Sequence, residues 1–140
     1  MAANNTILLA EDDENDAFFC RRALQQAGLN HSLMHVRNGE ECINYLSGNE
    51  RYADRAKFPF PNLLLLDLKM PVLSGFEVLS WLHEHPDLKG LPVIILTGSV
   101  DEEDKDEAWK RGASGFQCKP IEFDELVVVM KAVGSRWLKA

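Results

Sequence analysis

Asn62-Leu63-Leu64-Leu65-Leu66-Asp67-Leu68-Lys69-Met70-Pro71 is the stretch that decides the fold. Its four successive leucines read as a strand apolar on both faces, as in a parallel sheet covered by helices. Asp67 ends that strand, and open α/β sheets bind their ligands just past the carboxyl ends of their strands.

The same arrangement recurs on either side. Glu11 and Asp12 follow Thr6-Ile7-Leu8-Leu9-Ala10, Thr97 follows Pro92-Val93-Ile94-Ile95-Leu96, and Lys119 follows Ser114-Gly115-Phe116-Gln117-Cys118. A further strand is expected near 32–36. Between the strands lie helical patterns. The first runs over 14–28 and stops at Gly28, the second over 40–47. The third begins at Ser74-Gly75-Phe76-Glu77, an S-x-x-E capping-box signal, and ends before Pro86. Ser99-Val100-Asp101-Glu102 offers a second capping box for a fourth helix, which ends at Gly112. The last helix places Phe123, Leu126, Val127, Met130, Val133 and Trp137 on one face.

Five strands each followed by a helix predict a doubly wound α/β domain with a five-stranded parallel sheet and helices on both faces. Right-handed crossovers favour strand order 2-1-3-4-5, the flavodoxin-like arrangement. Strands one and three are then neighbours, and Glu11, Asp12 and Asp67 converge in one crevice. With 140 residues, 46% hydrophobic and 26% charged, the chain is expected to form one domain with no second unit. Gly48 to Pro61 is long for a connection between a helix and a strand; it reads as an extension of helix two plus a surface loop.

The net charge of −7 argues against direct nucleic-acid binding. No apolar run reaches membrane-spanning length, and no signal-peptide pattern opens the chain, so a cytoplasmic setting is expected. Cys20, Cys42 and Cys118 form no CxxC pair, which leaves zinc and thioredoxin-like chemistry unsupported; Cys118 reads as a buried thiol of strand five. The four histidines, His31, His35, His83 and His85, read as structural or solvent-facing.

A carboxylate at such a site can act as a nucleophile towards phosphorus and form an acyl phosphate. Two anions must then meet, so a cation is required. Mg2+ prefers oxygen ligands and takes one or two carboxylates. Asp12 and Asp67 suit direct ligation, Glu11 would hold a water on the metal, and the backbone carbonyl of Lys69 adds a further oxygen. Lys119 suits a phosphoryl oxygen as a cation, and Thr97 suits another as a hydroxyl donor. The Glu11-Asp12-Asp13 run also has a plainer reading, as a helix N-terminus. Asp13 fits a helix N-cap, but Asp67 precedes Leu68-Lys69-Met70-Pro71 and caps nothing.

Taken together, Ile7-Leu8-Leu9-Ala10-Glu11-Asp12-Asp13, Leu64 to Pro71, Gly75, Ile94-Ile95-Leu96-Thr97, Gly112 to Phe116 and Lys119-Pro120 resemble a response-regulator receiver domain of two-component phosphorelays. The likeness spans about residues 6–137. Arg51-Tyr52-Ala53-Asp54 and the long loop after it are similar to single-domain regulators that serve phytochrome-type kinases. The resemblance implies that Asp67 accepts phosphate from a sensor histidine kinase, a histidine phosphotransfer protein or a small phosphodonor. It implies Glu11 and Asp12 as the acidic pair at a Mg2+ site, Thr97 and Phe116 as switch residues, Lys119 as the family's lysine, and a cis Lys119–Pro120 bond. Without an output domain the signal would leave through helix four, strand five and the last helix, where homodimerisation is a hypothesis. Phe116 departs from the commoner Tyr, Gly98 from Ala or Ser, and Ser74 from Asp. The competing enzyme reading, a haloacid-dehalogenase-type phosphatase, wants an acid two residues after the nucleophile. Lys69 stands there instead, so only self-directed catalysis is expected. Nucleotide binding lacks both a GxGxxG turn and a GxxxxGK loop.

Overall fold

The computed structural model describes residues 6–29, 32–70, 72–88, 90–98 and 101–138. Five strands, β1 (Thr6–Ala10), β2 (Ser32–Val36), β3 (Leu63–Leu66), β4 (Val93–Thr97) and β5 (Gly115–Cys118), form a parallel sheet in the order β2-β1-β3-β4-β5. Five α-helices alternate with them: α1 (Glu14–Gln26), α2 (Gly39–Ser47), α3 (Gly75–His83), α4 (Glu102–Lys110) and α5 (Phe123–Trp137).

Strand side chains alternate between two cores, as a period of two requires. Ile7, Leu9, Leu63, Leu65, Ile94 and Leu96 pack against α1 and α5, through Cys20, Leu24, Leu126 and Met130 among others. Leu8, Ala10, Leu64, Leu66, Val93 and Ile95 pack against α2, α3 and α4, through Tyr45, Leu46, Val78, Leu79 and Ala108. All four leucines of β3 are buried because each faces one of these two layers.

Helix ends follow local chemistry. Asp13 caps α1, its carboxylate accepting from the amides of Asn15 and Asp16. That helix stops at Gln26, two residues short of the expected end. Gly28 takes φ +81° there, and the amides of Gly28 and Leu29 close back on the carbonyls of Gln25 and Leu24. The capping box of α3 is present, with Ser74 and Glu77 bonded reciprocally. At α4 the cap is Asp101, which bonds the Glu103 amide; Ser99 and Val100 of the expected box lie outside the described residues, as does His31.

Two expectations are corrected. Cys118 is exposed: it ends β5, an edge strand whose last two residues both face solvent. The Lys119–Pro120 bond is trans, the lower-energy isomer of an X–Pro bond.

The long connection is more ordered than a surface loop. A 3₁₀ turn, Glu50–Tyr52, brings Tyr52 against Tyr45 and Phe58, with ring centroids 5.0 and 5.1 Å away. Arg55 donates to the carbonyls of Tyr45 and Leu46, both at 2.8 Å, and so supplies the donors that the end of α2 lacks.

Gly75 sets how closely α3 approaches the end of β3. A Cβ there would stand 2.4 Å from the Asp67 carbonyl oxygen and 2.9 Å from the Leu68 Cα. Both are backbone atoms that cannot rotate away. Gly75→Ala is therefore expected to destabilise the domain by about 1–3 kcal/mol, the usual cost of overpacking. A urea-denaturation midpoint unchanged from wild type would contradict this close approach.

Candidate functional site

The register brings the strand ends level. Ala10 lies beside Leu66, and Leu66 beside Ile95. The ladder continues one residue past β1 and β3: the Asp67 amide donates to the Ala10 carbonyl at 3.1 Å, and the Glu11 amide to the Val36 carbonyl at 3.0 Å. Beyond β4 and β5, the Lys119 amide donates to the Thr97 carbonyl at 2.7 Å. These bonds fix four of the candidate residues, Glu11, Asp67, Thr97 and Lys119, by their backbones, before any side-chain contact is considered.

Carboxylate oxygens of Glu11, Asp12 and Asp67 all lie within 4.8 Å of one another. Glu11 is 2% exposed and Asp67 7%, whereas Asp12 faces solvent. The Asp13 carboxylate is committed to capping α1 and stays out of the cluster. Lys119 reaches in from the far side of β3. Its Nζ donates to Glu11 Oε1 at 2.5 Å and to Asp16 Oδ2 at 3.0 Å. The other Glu11 oxygen accepts from the Asp13 amide at 3.2 Å, and Asp67 Oδ1 accepts a long bond from the Lys69 amide at 3.4 Å.

Thr97 is buried at the rim, and Phe116 pairs with Ile95 two residues further down the sheet. Both belong to the face covered by α2, α3 and α4, where the half-buried Phe116 ring packs on that core. Phe116 is thus next to the site rather than among the carboxylates.

Burial pushes the Glu11 carboxyl up to about 7, and the Asp67 charge adds to this against the pull of Lys119. Burial also acts to lower the Lys119 ammonium, but its bonds to Glu11 and Asp16 and the Asp67 charge outweigh that and hold it above its ordinary value. The cluster fits a divalent cation. Its donors are hard oxygens drawn from two adjacent strand ends, and a cation there would offset the repulsion between Glu11 and Asp67.

Sequence reasoning missed Asp16, and it read His35 as structural or solvent-facing without placing it beside Glu11. His35, the fourth of the five residues of β2, donates its Nε2–H to the Glu11 carbonyl at 2.7 Å, since a carbonyl can only accept. Its position one residue before the end of an apolar run next to β1 was the available signal. Asp16 lies three residues after the Asp13 cap, on the turn of α1 that faces the strand ends.

The response regulator receiver domain model matches residues 7–131. The chain therefore belongs to that family, the phosphoacceptor modules of two-component systems. Response regulator Rcp1 of Synechocystis sp. is 32% identical over 133 residues, which cover 95% of this chain and 88% of Rcp1. The phosphorylated cyanobacterial phytochrome response regulator RcpA superposes with a TM-score of 0.89 at 31% identity, covering 98% of this chain and 96% of RcpA. RPA3017, a response regulator in red light signaling of R. palustris, superposes at 0.91 with 30% identity, covering 97% and 96%. The Mn(2+)-bound form of Rcp1 superposes at 0.84 with 31% identity over 97% of this chain and 96% of that one. The chain is thus similar to phytochrome-associated regulators. No helix among the described residues is long and apolar enough to cross a membrane.

The Glu11 shift has a consequence for stability. Its folded value, about 7, lies above the ordinary carboxylate value of 4.5, so between those limits the folded state holds a proton that the unfolded state has released. This contribution is present in full at low pH and is lost as pH rises through that window. Wild type is expected to lose more stability than Glu11→Gln between about pH 5 and pH 7.5 when urea midpoints are compared. Equal losses in both proteins would show that Glu11 titrates normally.

Proposed function

We propose that Asp67 is the phosphoacceptor of this receiver domain and that Glu11, Asp12 and Asp67, with the Lys69 backbone carbonyl, hold Mg2+. The observation that carries the reading is the joining of a nearly buried Asp67 to two further acids within 4.8 Å, with a lysine bonded into the same cluster. Phosphorylated RcpA and Mn(2+)-bound Rcp1 support it as relatives of the same fold. When bound, the cation neutralises the incoming phosphoryl oxygens.

The chain's own residues do the rest. One Asp67 carboxylate oxygen attacks phosphorus in line with the donor. As the new O–P bond forms, the P–N bond of a phosphohistidine or the P–O bond of an acyl phosphate breaks. The bonding pair leaves on the donor, as an imidazole or an acetate. Lys119 turns its ammonium to an oxygen of the transferred group, and the Thr97 hydroxyl donates to another. Drawing Thr97 inward vacates space into which the Phe116 ring turns. Phe116 lacks a hydroxyl, so its move is governed by packing alone. Phosphorylation thereby shifts a two-state population rather than driving turnover of another substrate.

The phosphodonor is a sensor histidine kinase or a histidine phosphotransfer protein in the cytoplasm, and the chain acts as a single receiver unit. Its output surface is α4, β5 and α5, which carry the exposed Trp109 and Val128. A second copy docks there on activation. Solution mass with and without beryllium fluoride and Mg2+ is expected to show a dimer only with both; a monomer throughout would remove the dimer from this account.

Acetyl phosphate with Mg2+ is expected to add one phosphoryl group by intact mass. The adduct should be missing in Asp67→Asn and in the absence of divalent cation. An equal adduct on Asp67→Asn would assign the acceptor elsewhere.

A further inference from the structure

An ammonium has three N–H donors. In Lys119 one goes to Glu11 and one to Asp16, while Asp67 acts on it through charge. Asp16 is not in the carboxylate cluster. It is aimed at the lysine by the local chemistry of α1. Its amide is held by the Asp13 carboxylate at 3.0 Å. A Glu or Gln three residues after an N-cap can reach back to the amide of the cap. Here the Asp13 amide is already bonded to Glu11 Oε2, so the Asp16 carboxylate is left to Lys119.

The two acids that hold Lys119 differ in what they do next. Glu11 is buried and belongs to the cluster that a cation would draw on, whereas the Asp16 side chain is 42% exposed and stands outside it. When Glu11 turns to a cation, Asp16 remains bonded to the ammonium at 3.0 Å. We propose that Asp16 is a positioning residue that holds Lys119 off Asp67 and competes with the phosphoryl group for its ammonium. It thereby sets how readily the site takes up that group. The inference rests on the reading of Asp67 as the acceptor.

Asp16→Asn keeps the shape of the side chain and removes its charge. Beryllium fluoride, titrated at saturating Mg2+, is the probe. Half-saturation is expected at an about two- to fivefold lower concentration than in wild type, the range that a half-exposed ion pair supports. Asp16→Glu is expected to return the value towards wild type. Glu14→Gln removes the same charge from the same helix turn, but Glu14 pairs with Arg37 and leaves Lys119 untouched, so no gain is expected. An equal gain in Glu14→Gln would make the effect one of general charge and overturn the proposal. So would unchanged or weaker binding in Asp16→Asn. If wild type takes up no beryllium fluoride while Mg2+ binds, the acceptor reading itself fails, and the role of Asp16 falls with it.

Discussion

The parallel pairing of β1 with β3 is the constraint on which the rest of the structure depends. Ala10 lies beside Leu66, and the Asp67 amide extends that ladder by bonding the Ala10 carbonyl. A slip of one residue would move every leucine of β3 to the opposite core and send Asp67 to the wrong level. Within Leu63 to Leu66 such a slip exchanges leucine for leucine, so its cost falls at the ends of the run, where Asn62 or Asp67 would be drawn into an apolar layer. The acidic cluster is therefore a by-product of a strongly specified register. Gly75 reinforces it by letting α3 press against the backbone of Asp67 and Leu68.

The site works against the stability of the fold that makes it. Three carboxylates share a small volume, and two of them are nearly withdrawn from water. A buried charge is tolerated when it is paired and hydrogen-bonded. Lys119 provides that pairing for Glu11, at 13% exposure of its own side chain. On the proposed reading the same lysine would meet the phosphoryl group. Its resting partners, Glu11 and Asp16, thus restrain the ammonium that they stabilise.

The sequence carried much of this because each strand end is marked by a switch from apolar to polar residues. Those switches placed all five strands within a residue of their observed bounds and set Glu11, Asp12 and Asp67 side by side. What it did not carry depends on distance in space. Asp16 looks like one more acid in a helix's first turn until β5 delivers Lys119 to it. His35 is one of four histidines until β2 pairs with β1. Cys118 follows an apolar run, yet strand order leaves β5 at an edge, so its thiol is exposed. The Gly48 to Pro61 connection gave no helical or strand period. Its order comes from aromatic packing and from Arg55 closing the end of α2.

A crystal structure grown with Mg2+ and beryllium fluoride tests the account most directly. It predicts beryllium bonded to an Asp67 carboxylate oxygen, the cation among Glu11, Asp12 and Asp67, and Lys119 turned from Asp16 to a fluoride. Beryllium fluoride seated on another residue, or a cation bound away from these three carboxylates, would contradict it.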